Sequence, residues 1–124
     1  MEKPVVLFVD DEPHALKTVG PGLEDRSFTV LTAESGKKAL EILKTRTPDV
    51  IIADLRMQPM NGFELFQEVR KISKFGTTPF LFLTGINDVI AKEYSQKIGV
   101  DAYITKPVDL DDLTAVIKNK LASR

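Results

Sequence analysis

Five side chains carry the chemistry open to this 124-residue sequence: Asp10, Asp11, Asp54, Thr84 and Lys106. Each stands at or just beyond the end of a short apolar run. In an open α/β sheet, ligands bind beyond the carboxyl ends of the strands, so such positions converge on one edge. Three carboxylates at one edge repel one another, and a hard divalent cation relieves that repulsion. An all-oxygen donor set favours Mg²⁺, with Mn²⁺ as the alternative. Lys106 and the Thr84 hydroxyl can then hold a phosphoryl group from the other side, as charge and donor. The chemistry that fits is phosphoryl transfer to a carboxylate, giving an aspartyl phosphate.

These residues need a sheet to position them, and the apolar runs supply one. Val5–Val9, Val50–Ala53 and Phe80–Leu83 are continuous, short and rich in β-branched and aromatic residues. Such runs read as strands buried on both faces of a parallel sheet. Phe28–Ala33 and Ala102–Ile104 are more polar or shorter, which suits sheet edges. Helical patterns lie between them. Pro13 opens the first, with Ala15, Leu16, Val19 and Leu23 as its apolar face. Ser35 caps the second, and Leu65, Phe66, Val69 and Ile72 mark the third. Ile90, Tyr94 and Ile98 mark the fourth, with Gly99 as its stop, and Asp109 caps the Leu110–Leu121 stripe. Strict β-α alternation, five times over, predicts one α/β domain spanning residues 1–124, with right-handed crossovers and helices on both faces. Gly20-Pro21-Gly22 interrupts the first helical pattern, and a kink or early end is expected there.

Composition excludes several other functions. The net charge of −1, with no basic run, argues against direct binding to nucleic acid or to an anionic membrane. The absence of cysteine removes disulfides, thiolate metal sites and a cysteine nucleophile, and the single histidine removes a multi-histidine site. Lys3 is followed by only five apolar residues and then two aspartates, so no export signal is apparent and a cytoplasmic protein is expected. His14 reads as a solvated surface residue, Met57 and Met60 as packing residues, and Asp111 and Asp112 as first-turn acids.

Four motifs in order resemble the receiver domain of two-component response regulators, the CheY-like family. They are FVDDEP at 8–13, DLRMQPMNG at 54–62, FLTG at 82–85 and AYITKP at 102–107. The resemblance covers essentially the whole chain and implies a flavodoxin-like, doubly wound (βα)5 sandwich with strand order 2-1-3-4-5. It implies Asp54 as phosphoacceptor, and Asp11, Asp54 and the Arg56 backbone carbonyl as Mg²⁺ ligands. It further implies that Asp10 reaches the metal through water. Thr84 and Tyr103 match the switch pair, Lys106 the phosphate-binding lysine, and Pro107 the proline after it, where a cis bond is expected. The implied donor is a sensor histidine kinase or a histidine phosphotransfer protein. The implied output is a downstream protein partner or fused effector domain, reached through the α4-β5-α5 face, with room for a phosphorylation-dependent homodimer. Such a domain is a signalling switch that catalyses its own phosphorylation and slow dephosphorylation, and is not a metabolic enzyme.

The match has departures. The family loop usually reads Asp-x-x-Met-Pro-x-Met-Asp/Asn-Gly, whereas here Gln58 follows Met57 and the proline moves to Pro59. Rival readings fit less well. A phosphohydrolase with an aspartyl-phosphate intermediate wants Asp-x-Asp-x-Thr after the first strand, where this chain has Asp-Asp-Glu-Pro-His. A flavin carrier wants a hydroxyl- and glycine-rich phosphate loop there, and the acidic pair would repel it. A degenerate docking module would have lost part of the acidic, threonine and lysine set.

Overall fold

The computed structural model describes residues 2–123. Five parallel strands, β1 (Val5–Val9), β2 (Thr29–Ala33), β3 (Val50–Ala53), β4 (Phe80–Thr84) and β5 (Ala102–Thr105), stand in the order β2-β1-β3-β4-β5. The three continuous apolar runs are the three central strands, buried almost throughout, and the two mixed ones are the edges. Alternation along each strand divides the core. Leu7, Val9, Ile51 and Phe82 face α2 (Gly36–Leu43), α3 (Gly62–Lys71) and α4 (Val89–Lys97). Val6, Phe8, Ile52 and Leu83 face α1 (Pro13–Glu24) and α5 (Leu110–Ala122).

Local chemistry starts the helices where the sequence places them. The Ser35 hydroxyl accepts from the Lys38 N–H at 3.1 Å. Asp109 accepts from the N–H groups of Asp111 and Asp112. Asn61 and Glu64 form a reciprocal capping box at α3, and caps of this kind contribute about 1 kcal/mol each.

The expected early end of α1 does not occur: the helix runs through Pro21 to Glu24. Pro21 and Lys17 both lie on the exposed face, where the hydrogen bond that Pro21 cannot donate to the Lys17 carbonyl costs least. Gly20 and Gly22 are buried and bring the helix close to its neighbours. A Cβ on Gly22 would stand 2.3 Å from Leu110 Cδ1 at the start of α5. Arg26 completes this seam, donating to the Gly22 carbonyl at 3.0 Å and to Asp111 at 2.9 Å. Asp111 therefore pairs across helices as well as sitting in a first turn.

The fourth helix also differs from its pattern. Val89 and Ile90 are 70% and 75% exposed, and Ser95 is the buried residue of α4. Ile98 packs on the core as expected, and Ala91 does so in place of Ile90.

Candidate functional site

The sheet delivers the predicted residues to one edge by extending its ladders. The Asp10 N–H donates to the Ala33 carbonyl at 3.0 Å, and the Asp54 N–H to the Val9 carbonyl at 3.1 Å. The Lys106 N–H donates to the Thr84 carbonyl at 2.8 Å. These bonds fix the backbone just beyond β1, β3 and β5, so the side chains that follow have little freedom in where they start.

Lys106 is the centre of the arrangement. Its ammonium donates to Asp10 Oδ2 at 2.7 Å and to Asp54 Oδ2 at 3.0 Å. Asp10 is fully buried and Asp54 nearly so. Their other oxygens accept backbone N–H groups, Asp10 Oδ1 from Glu12 at 3.0 Å and Asp54 Oδ1 from Arg56 at 3.1 Å. Burial works against the Lys106 charge, but its hydrogen bonds to both carboxylates and their negative charges outweigh that, and its pKa is raised. Asp11 is exposed and lines an open cleft of about 490 Å³ with Arg56, Asn61, Phe63 and Ile86. The edge thus holds three carboxylates and one ammonium. Among the described residues they do not form a ready-made cage of three acidic or histidine ligands.

Thr84 is fully buried, and its Oγ1 accepts from the Ile86 N–H at 3.3 Å. Tyr103, half-buried in β5, donates its hydroxyl to the Ile86 carbonyl at 2.5 Å. The two residues named from the sequence therefore bond the backbone of one residue, Ile86, through its N–H and its carbonyl, and the sequence did not single that residue out. Burial first, then the charges of Asp88 and Asp54, raises the Tyr103 pKa, which keeps the phenol a donor. The Lys106–Pro107 bond is cis, as expected, and a second cis bond precedes Pro59 in the departing loop. His14 is exposed, Met57 is buried, and Met60 packs against Gly36.

Gly62 was a further residue of the motif without an assigned role. Its N–H donates to the Leu55 carbonyl at 3.0 Å, and a Cβ there would stand 2.4 Å from the Asp54 carbonyl oxygen. Both obstacles are backbone, so no side-chain rotation relieves them. Gly62→Ala should lower stability by about 2–3 kcal/mol, read as the urea midpoint. An unchanged midpoint would show that the loop around Asp54 gives way freely.

The comparisons with known proteins agree with this geometry. The family model described as the response regulator receiver domain matches residues 6–118. The transcriptional regulatory protein GlrR of Escherichia coli K12 is 37% identical over 116 residues, covering 94% of this chain and 26% of that protein. The response regulator Rre1 of Synechocystis sp. is 33% identical, covering 98% of this chain and 54% of its own length. The chain therefore spans from a quarter to about half of these relatives. The chemotaxis response regulator CheY4 of Vibrio cholerae superposes with a TM-score of 0.88 at 31% identity, over 95% of this chain and 98% of that one. A response regulator receiver domain protein from Clostridium thermocellum does so with a TM-score of 0.89 at 30% identity, over 97% and 95%. With strand order, edge residues and sequence matching together over nearly its whole described length, the chain belongs to the receiver domain family of two-component response regulators.

Proposed function

We propose that this domain, residues 1–124, is an active phosphoacceptor switch that takes a phosphoryl group onto Asp54. The observation that carries the reading is the Lys106 ammonium held between Asp10 and Asp54 beside an open cleft. A lysine placed there charges the spot where phosphoryl oxygens would lie, and leaves a net negative edge for a cation. The Asp11 and Asp54 carboxylates and the Arg56 carbonyl would hold Mg²⁺ or Mn²⁺ directly, with Asp10 acting through water. Mg²⁺ commonly takes only one or two protein carboxylates and completes its shell with water and phosphate, so the lack of a ready-made cage suits it. Bound there, the ion would neutralise charge on the phosphoryl oxygens.

The donor is a phosphohistidine on a sensor histidine kinase or phosphotransfer protein. An Asp54 carboxylate oxygen attacks phosphorus in line, the phosphorus–nitrogen bond breaks, and the imidazole leaves with the electron pair and takes up a proton. Lys106 stays on the carboxylate edge and meets the new phosphoryl charge. Slow hydrolysis of the acyl phosphate resets the domain. The work is done in the cytoplasm, on protein partners or a fused effector domain, with dimer formation on phosphorylation as one route of output. Beryllofluoride, a phosphoryl mimic, should bind in the presence of Mg²⁺ and fail to bind after chelation. Equal binding in both conditions would contradict the metal assignment.

The switch follows from the Ile86 backbone, whose N–H bonds Thr84 and whose carbonyl bonds Tyr103. Phosphorylation adds up to about two negative charges at Asp54. While Thr84 accepts from Ile86, its hydroxyl proton can still be donated to a phosphoryl oxygen. Drawing Thr84 inward pulls on the Ile86 N–H, and Tyr103, bonded to the carbonyl of the same residue, follows. Thr84→Ala should keep phosphorylation at Asp54 but lose most of the phosphate-dependent change around Tyr103, an effect of about 1–3 kcal/mol. The measurement is the NMR shift change across α4 and β5 on adding beryllofluoride. Equal changes in wild type and variant would remove Thr84 from the route.

A further inference from the structure

Few contacts hold α4 in place, and one of them leads back to the cleft. Its outer face carries Val89 and Ile90 to solvent, and Tyr94 is 43% exposed. The Tyr94 ring meets Phe63 of α3 edge-on, with centroids 5.1 Å apart and planes at 79°. Phe63 meets Phe82 of β4 in the same way, at 5.3 Å and 85°. Phe82 in turn meets Tyr103 at 6.3 Å and 84°. Phe63 also lines the cleft that Asp11 and Arg56 share. One ring thus touches the cleft, the central sheet and α4.

The position of Phe63 depends on the loop that carries Asp54. Its neighbour Gly62 lies flat on that loop, bonded to the Leu55 carbonyl and too close to Asp54 for any side chain. A shift of the Asp54–Leu55 backbone therefore passes to Gly62 with no side chain between to absorb it. Phe63 sits in the first turn of α3, which the Asn61–Glu64 capping box holds rigid. The shift arrives at Tyr94 as a displacement of an edge-on ring contact, whose energy depends on ring geometry.

We propose that Phe63 is a positioning residue that ties α4 to the phosphoacceptor loop. It gives the cleft a second route to α4, one that does not pass through the Ile86 backbone that Thr84 and Tyr103 both bond. The proposal rests on the reading of Asp54 as phosphoacceptor and adds a residue to its output. It requires that phosphorylation moves the Asp54 loop as well as Thr84. Phe63→Leu keeps an apolar filler and removes the ring. Tyr94→Leu breaks only the α4 side and spares α3 and the sheet, so it tests the route even where the first variant folds poorly. Tyr94→Phe keeps the ring and loses only a hydroxyl.

The experiment is an NMR titration of the whole chain with beryllofluoride and Mg²⁺, following residues 89–97 and residues 103–105 separately. Phe63→Leu and Tyr94→Leu should each cut the α4 response at least about twofold, in line with the loss of one aromatic contact. The β5 response should persist, and Tyr94→Phe should behave as wild type. A merely structural role would lower stability and leave the ratio of the two responses unchanged. Wild-type α4 responses in both leucine variants, with a responding wild type, overturn the Phe63 route alone. A wild type that gives no Mg²⁺-dependent response overturns the phosphoacceptor reading and the route with it.

Discussion

Asp54→Asn should fold, melt cooperatively and take no phosphoryl group from acetyl phosphate. The amide is close to isosteric, and its oxygen can still accept the Arg56 N–H that Asp54 Oδ1 accepts at 3.1 Å. Lys106 keeps its shorter bond to Asp10 at 2.7 Å. What disappears is the nucleophile, because a neutral amide oxygen does not attack phosphorus and displace acetate as a carboxylate does. Removing one negative charge from a crowded edge offsets part of the lost contact with Lys106, so the stability change should stay within about 1 kcal/mol. Intact-mass spectra after incubation with acetyl phosphate and Mg²⁺ check the outcome. A variant labelled as fully as wild type would move the acceptor elsewhere.

Lys106→Met should have the largest effect on stability. Methionine keeps most of the aliphatic stem but leaves Asp10, fully buried, and Asp54 without their ammonium. Breaking a buried ion pair from one side leaves an uncompensated charge, and the expected loss is about 3 kcal/mol in metal-free buffer at pH 7. Mg²⁺ should restore part of it, because a cation answers the same repulsion. The pH dependence has a definite sign. The folded-state pKa of Lys106 is raised above the ordinary lysine value of 10.5. The stability it confers is therefore complete below that value and is lost as pH rises through the folded-state pKa. Wild type should lose this increment in strongly alkaline buffer, while the methionine variant has none to lose. Urea titrations with and without Mg²⁺, across that range, measure both effects. A variant as stable as wild type in chelator would mean that the ammonium contributes nothing to holding the two carboxylates.

Much of this arrangement was legible in the sequence, for identifiable reasons. The central strands declared themselves because both of their faces are buried, which forces continuous apolar runs. Ser35 and Asp109 declared themselves because a helix start needs an acceptor at one position. Lys106 and the aspartates stood out because they follow separate strands, β1, β3 and β5, at one edge of the sheet. Other features depend on contacts between distant elements. Nothing local shows that Pro21 lies on the exposed face of α1, where its missing hydrogen bond is harmless. The apolar spacing of the fourth helix places Ile98 on the core, but nothing in it shows that Ile90 points to solvent while Ala91 packs inward. Ile86 bonds Thr84 and Tyr103 through its backbone N–H and carbonyl, which no side-chain pattern reports. Gly62 belonged to a recognised motif, but only the approach of the Asp54 carbonyl explains why a side chain cannot replace its hydrogen.

The central claim is that Asp54 is the acceptor, and reduction of the acyl phosphate tests it most directly. Borohydride converts a phosphorylated aspartate to homoserine and leaves free aspartates unchanged, so the labelled position can be read by peptide sequencing. After treatment with acetyl phosphate and Mg²⁺, homoserine should appear at position 54 and at neither position 10 nor position 11. It should be absent when Mg²⁺ is chelated. Homoserine at Asp10 or Asp11, or none at any position in the presence of Mg²⁺, would contradict the account.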